Sequence, residues 1–162
     1  MIFVDATVFI KWVTASRKAL DFNSAVSGYI LYKISRGEPA LTTTLVKDEV
    51  LVWLSRYRAS RLDVFLQSLR SLVSLRIMAP TVEHEETAVR MLGKYPLGIS
   101  DLINLAVMKS YDVSQVYSAD KGFDEVPWVE RIFEELGRED MFRVFLEMLR
   151  RKGIRISFRL SK

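Results

Sequence analysis

The sequence predicts an α/β fold: an open, mainly parallel twisted sheet with helices on both faces. Three observations carry that prediction. Short apolar runs alternate with longer segments of helical period along most of the chain. Two of those runs, Ile2-Phe3-Val4 and Val116-Tyr117-Ser118, lead into Asp5 and Asp120. In an open parallel sheet the carboxyl ends of the strands are where ligands bind, so both acids stand at a functional place. Finally, 162 residues with 49% hydrophobic and 27% charged side chains suit one soluble domain, expected to span residues 1–162, with a sizeable core.

The elements follow in order. Ile2–Val4 is a short buried strand and Thr7–Val13 a short helix. Asp21–Arg36 keeps helical spacing through Phe22, Val26, Tyr29, Ile30 and Ile34, with Gly37 placed to end it. Pro39–Thr42 reads as the second strand, followed by a helix over Leu45–Arg56. Ser60-x-x-Asp63 has the form of a capping box opening a helix with an apolar stripe of Leu62, Phe65, Leu66, Leu69, Leu72 and Val73. Leu75–Met78 is a third strand. Thr81 caps a helix whose first turn holds Glu83, Glu85 and Glu86, where the helix dipole favours acids. Lys94–Gly98 breaks the chain before a helix from Asp101 to Ser110 and the strand Val116–Ser118.

The C-terminal part has its own character. Glu139–Lys152 is amphipathic through Met141, Val144, Phe145, Met148 and Leu149, and ends in Arg150-Arg151-Lys152 before Gly153. Ile154–Leu160 alternates apolar with Arg and Ser, which predicts a half-exposed strand. The formal charge of +4 resides here: Arg150, Arg151, Lys152, Arg155, Arg159 and Lys162 lie in the last thirteen residues without an acid. Such a concentration is an electrostatic footprint for phosphate, and Arg151, Lys152, Arg155 and Arg159 are the candidate RNA contacts. Cations that protect a strand edge are the other reading of Arg155 and Arg159.

Cysteine is absent, which excludes disulfides, thiol catalysis and cysteine-ligated zinc and fits a reducing cytoplasm. Asn23, Asn104, Gln67 and Gln115 are the only side-chain amides, a composition expected of a heat-adapted protein. No segment reaches the ~18 apolar residues that cross a bilayer, so no membrane is expected. His84, the single histidine, stands in an acidic turn and is expected at the surface, leaving no obvious imidazole for acid–base work.

Four carboxylates remain. Asp5 could cap the first helix, Asp101 could favour a helix N-terminus, and Asp120 could serve a turn before Lys121-Gly122. Glu49, between Leu45 and Trp53 at i−4 and i+4, is expected to face inward, where it needs a basic partner or an ion. Brought together, the four would repel one another unless they held a hard divalent cation.

These residues resemble a known family. Val4-Asp5-Ala6-Thr7-Val8-Phe9-Ile10 is similar to the opening of PIN-domain nucleases. Thr42-Thr43-Thr44-Leu45-Val46-x-x-Glu49-Val50, Ile99-Ser100-Asp101-Leu102-Ile103-x-x-Ala106 and Ser118-Ala119-Asp120-Lys121-Gly122-Phe123-Asp124 resemble the second, third and fourth motifs. Order and spacing fit over about residues 1–133, which leaves a basic helix–strand extension at about 138–160 outside the match. Ala6 departs from the Thr or Ser of many relatives, and Thr7 keeps the hydroxyl.

The resemblance implies a PIN-like α/β/α sandwich and, most often, the toxin of a VapBC-type pair: an endoribonuclease with an RNA substrate, a cognate antitoxin and a homodimeric state. Asp5, Glu49, Asp101 and Asp120 would then be catalytic and hold Mg²⁺ or Mn²⁺, since oxygen ligands without His or Cys favour hard ions. Asp124 is an outer ligand or a turn carboxylate. Thr7 and Ser118 would support the site. Asn104, one turn after Asp101, contacts a metal-bound water or is a polar surface residue. Trp12, Trp53 and Trp128 are expected in the core rather than as a stacking platform. Arg56, Arg58 and Arg61 around Tyr57 line a nucleic acid or a solvated loop. The competing classes are an RNA-processing PIN nuclease without an antitoxin, a phosphatase with Asp5 as nucleophile, and a catalytically silent binding module.

Overall fold

The computed structural model describes residues 1–160; Lys162 of the cationic tail lies outside the described residues. Five strands form one parallel sheet: β1 (Ile2–Val4), β2 (Ala40–Thr43), β3 (Leu75–Met78), β4 (Gln115–Tyr117) and β5 (Glu130–Ile132), in the order β3-β2-β1-β4-β5. Helices α1 (Ala6–Val13), α2 (Phe22–Ser35), α3 (Thr44–Tyr57), α4 (Leu62–Ser71), α5 (Val82–Met91), α6 (Ile99–Ser110) and α7 (Asp140–Arg151) flank it. This is the predicted α/β/α sandwich.

The strand order fixes where a ligand can sit. From β1 the chain moves outward through β2 and β3, then returns to β4 on the other side of β1. The crossovers therefore diverge between β1 and β4, opening a crevice at their carboxyl ends. Asp5 follows β1 and Asp120 lies just past β4, so the two acids flank that switch point.

The strands are three or four residues long and buried on both faces in β1 and β2, as helices on each side require. Phe3, Val4, Leu41 and Val116 are closed to solvent, and each such side chain contributes ~1.5–3 kcal/mol of hydrophobic burial. α2 ends where expected: Gly37 takes φ 109°, and its N–H donates to the Ile34 carbonyl at 3.0 Å.

Several expectations are corrected. Ser60-x-x-Asp63 forms no capping box. A 3-10 turn over Ala59–Arg61 runs directly into α4, whose cap position, Arg61, makes no side-chain bond. The α4 stripe buries Phe65 and Leu72, while Val73 is 87% exposed because the helix has already ended. In α7 the buried face is Phe142, Phe145, Leu146 and Leu149, whereas Met141 and Val144 point outward. The helix is rotated because Phe142 docks edge-on against Phe22 and Tyr29. β5 is an additional strand.

Ile154–Leu160 does not extend the sheet as a strand. It keeps the predicted alternation of half-buried apolar and exposed polar residues, but pairs with the α1–α2 connection through one parallel bridge, Leu20 to Ile156. Leu20 N–H donates to the Arg155 carbonyl at 2.8 Å and Ser157 N–H to the Leu20 carbonyl at 2.9 Å. α7 is fastened further by Tyr29, whose hydroxyl donates to Glu139 Oε2 at 2.5 Å, with Lys33 3.2 Å from the other oxygen. Among the described residues no helix is long and apolar enough to cross a membrane.

Candidate active site

Asp5 is the centre of the site. It caps α1, and three donors converge on its Oδ2: the Thr7 hydroxyl at 2.7 Å, the Ser118 hydroxyl at 2.8 Å and the Thr7 N–H at 3.3 Å. The cap reading and the functional reading are thus compatible, because the second oxygen is not needed for the cap. Thr7 Oγ also accepts the Ala119 N–H at 3.1 Å, and Ser118 Oγ accepts the Asp120 N–H at 3.0 Å. Two hydroxyls therefore knit the end of β1 to the end of β4. Ala6 is buried beside them and adds no polar group.

The other three carboxylates come from three different elements. Asp101 stands in the first turn of α6, three residues after the Gly98 cap, and is partly buried. Asp120 opens the 3-10 turn Lys121–Glu125 and accepts the Gly122 N–H at 2.8 Å. Glu49 lies on α3, whose N-cap is Thr43.

Glu49 is exposed at the rim and does not face the interior as the sequence suggests. Its i−4 and i+4 neighbours line an open groove of about 450 Å³ with Val52, Arg56, Tyr57 and Ser100. Trp53 is correspondingly half-buried in that groove, its ring 5.0 Å from that of Tyr57. Arg56 lines the same groove, whereas Arg58 and Arg61 do not.

The electrostatics show that the four acids share one field. Burial, then the charges of Asp5, Glu49 and Asp120, push the Asp101 carboxyl up to about 7. Burial raises Asp5 against the hydrogen bonds from Thr7 and Ser118. Glu49, at the rim, is raised by partial desolvation and then by the charge of Asp5. Among the described residues no Lys or Arg lies within ion-pair distance of any of the four. Nor do three carboxylates already stand at ligand spacing around one point. Oxygen donors that repel one another and have no basic partner among the described residues have the chemistry that suits a hard divalent ion.

Asp124 is placed differently. Its carboxylate accepts from Arg131 Nε at 2.8 Å, and Arg131 also reaches Glu134 at 2.9 Å and the Ser118 carbonyl at 3.1 Å. Asp124 buttresses the β4 end through Arg131, a residue that sequence reasoning did not single out.

Asn104 is not a surface residue. It is closed to solvent, its Oδ1 accepts the Thr43 hydroxyl at 2.7 Å, and its Nδ2 has no partner among the described residues. His84 is half-buried: Nδ1 accepts the Thr81 N–H at 2.9 Å and Nε2 stands 2.9 Å from the Ser110 hydroxyl. It closes the cap of α5 and joins α5 to α6, away from the acids. Of the tail cations, Arg151, Lys152, Arg155 and Arg159 are all exposed, and Arg159 lines a groove with Arg138 and Arg143.

Comparisons with known proteins agree with this fold. No curated protein matches the chain. Among solved structures it resembles the VapC20 toxin of Mycobacterium tuberculosis, described as cleaving the sarcin–ricin loop. The TM-score is 0.67 at 21% identity, covering 82% of this chain and 99% of that one. A toxin–antitoxin complex from Klebsiella pneumoniae gives 0.58 at 17% identity, with 80% and 96% covered. VapBC2 from Rickettsia felis, bound to a DNA fragment of its promoter, gives 0.57 at 12%, with 82% and 98% covered. At these identities the likeness is one of fold. The family model named PIN domain matches residues 2–129, a span that contains Asp5, Glu49, Asp101 and Asp120, and the chain belongs to the PIN-domain family.

Proposed function

We propose that this chain is a divalent-metal-dependent endoribonuclease, a VapC-like toxin acting in the cytoplasm under the control of a cognate antitoxin. The observation that carries the reading is the shared field of Asp5, Glu49, Asp101 and Asp120 at the switch point, without a basic side chain among the described residues to neutralise it. Carboxylates arranged in this way lose stability through repulsion when ionised and regain it by protonation or by holding a cation.

Asp5, Asp101 and Asp120, with Glu49 across the groove, would hold Mg²⁺ or Mn²⁺. When bound, the ion supplies a water of lowered pKa and offsets charge on the phosphodiester. The chain's own residues do the positioning. Thr7 and Ser118 fix one oxygen of Asp5, so that its orientation does not depend on the ion. The Asp120 backbone is held by Ser118, and Arg131 fixes the Ser118 carbonyl. The groove along α3 leads a strand past Trp53 and Tyr57 towards Glu49 and Ser100, which favours an unpaired RNA strand over a duplex.

A second reading, an RNA-processing nuclease without an antitoxin, is favoured by one feature: the cationic segment after residue 133 lies beyond the matched family region. An Asp-nucleophile phosphatase fits less well. That mechanism gives Glu49 no task, and position 7 is Thr where most such enzymes carry a second Asp.

Cleavage of a mixed RNA pool in EDTA, Mg²⁺ or Mn²⁺, alongside Asp101→Asn, tests the proposal. Metal-dependent cuts that vanish in the variant are expected. Cleavage that persists in EDTA, or in the variant, would overturn it.

A further inference from the structure

Outside the carboxylate crevice, three arginines from three separate segments converge on one groove of about 490 Å³. Arg138 closes the 3-10 turn Glu134–Arg138, Arg143 lies on the outer face of α7, and Arg159 belongs to the segment paired with Leu20. All three are exposed, and among the described residues no acid stands within 4 Å of any of them.

Three of the acids nearby are already engaged. Glu139 is turned to Tyr29 and Lys33, Glu147 pairs with Arg150, and Glu134, which lines the groove, is held by Arg131. Asp140 is exposed on the first turn of α7 and pairs with none of the three. The groove therefore keeps an excess of guanidinium charge, the group best shaped to bind phosphate through two parallel N–H donors.

The floor is rigid. Phe22 meets Phe158 edge-on at 5.4 Å and Phe142 at 6.1 Å. Gly137 lies so close to the Phe22 ring that an added Cβ would stand 2.6 Å from it, so the turn presenting Arg138 packs directly on that ring. The groove also connects to the carboxylates through a chain of contacts. Glu134 on its wall binds Arg131, Arg131 binds the Ser118 carbonyl, and the Ser118 hydroxyl binds Asp5.

We propose that Arg138, Arg143 and Arg159 form a phosphodiester subsite for the backbone of a single-stranded RNA, built by segments beyond the residues that match the family model. The subsite rests on the nuclease reading for its substrate. It narrows the expectation about the cationic tail: Arg159 belongs to it, whereas Arg151, Lys152 and Arg155 do not line the groove. Contacts of this kind bind every sequence alike and set how strand length and ionic strength act on affinity.

The test is fluorescence anisotropy with a short labelled oligouridylate in EDTA, where nothing is cut, over a range of KCl. The proteins are the parent, the triple variant Arg138→Gln/Arg143→Gln/Arg159→Gln, and Arg70→Gln as an exposed control on α4. For a single strand, each phosphate contact contributes about 0.7 to the slope of log K against log salt. The triple variant is expected to lose about 2 units of slope and to bind at least roughly tenfold more weakly at low salt, with an unchanged melting temperature. Arg70→Gln is expected to match the parent. Unchanged affinity and slope in the triple variant would overturn the subsite even where the parent still cleaves RNA. A parent that binds with the arginine-dependent slope, yet cuts RNA in no metal, would support the subsite and sink the nuclease reading instead.

Discussion

The Thr43 hydroxyl donates to Asn104 Oδ1 at 2.7 Å in a place closed to solvent, and so ties the helix that carries Glu49 to the helix that carries Asp101. Thr43 Oγ meanwhile accepts the Val46 N–H at 3.1 Å as the cap of α3. One hydroxyl thus sets the start of α3 and its distance from α6.

Asn104→Ala removes the acceptor and leaves a buried hydroxyl unpaired, at a cost of about 1–3 kcal/mol. Thr43→Val removes the donor and the cap, the latter worth ~1 kcal/mol. Because the two residues share one bond, the double variant is expected to cost less than the sum of the singles, with a coupling of roughly 0.5–3 kcal/mol. Urea melts of the four proteins measure it. Strict additivity would show that the bond does not join the helices energetically.

The carboxylate field makes a prediction about pH in the metal-free protein. Asp101 titrates at about 7 in the fold against an ordinary 3.8, so between those values the folded state binds more protons than the unfolded chain. Stability should therefore fall as pH rises through that window and level off above about 7. Asp5 and Glu49, also raised, act in the same direction. Mg²⁺ should reverse the trend, giving a larger rise in melting temperature at about pH 8 than at about pH 5. Asp101→Asn should raise the melting temperature of the metal-free protein at the higher pH while lowering cleavage by more than about a hundred-fold. A metal-free protein that grew more stable from pH 5 to 8 would contradict the shared field.

The carboxylates proposed for the site stand out in the sequence for a local reason. Asp5, Asp101 and Asp120 occupy positions that local structure explains only in part, and their placement needed nothing beyond strand ends and helix starts. Contacts distant in sequence were harder to see. Glu49 looked inward because Leu45 and Trp53 share its face, yet that face lines a groove, and periodicity does not say what lies opposite. Asn104 looked polar and therefore exposed, but its partner is sixty-one residues away. β5 is only Glu130-Arg131-Ile132, two charges and one apolar side chain at a sheet edge, and offers no alternation to detect. The tail kept its alternation and lost its assignment to the sheet, because the pattern defines two faces without naming the strand that pairs.

The Asp120 turn leaves no room for a side chain at Gly122. An added Cβ would lie 2.9 Å from the Pro96 carbonyl, 2.8 Å from Leu97 and 3.1 Å from Asp120 Oδ1. The carbonyl belongs to the backbone and cannot yield like a flexible side chain. Gly122→Ala should accordingly push the turn outward, at a cost of about 1–3 kcal/mol, and displace the Asp120 carboxylate that accepts the Gly122 N–H. Cleavage at saturating RNA should drop at least roughly tenfold, with RNA affinity in EDTA unchanged. Parental turnover would show that Asp120 does not depend on this turn.

Glu49, Trp53 and Tyr57 follow one another at i, i+4 and i+8 on α3, so the two rings continue the line of the carboxylate away from the crevice. Tyr57 is 59% exposed and Trp53 half-buried, which gives a base somewhere to stack without unpacking the core. Stacking of one base on an aromatic ring is worth ~1–3 kcal/mol by alanine substitution. Tyr57→Ala is therefore expected to raise KM for single-stranded RNA roughly five- to a hundred-fold with kcat nearly unchanged, while Tyr57→Phe keeps the parental KM. Trp53→Ala should act in the same way but also lower stability, because part of its ring packs against the core. Steady-state kinetics on one oligoribonucleotide separate these effects. A Tyr57→Ala protein with parental KM but weakened binding of a protein partner would reassign the groove from the substrate to that partner.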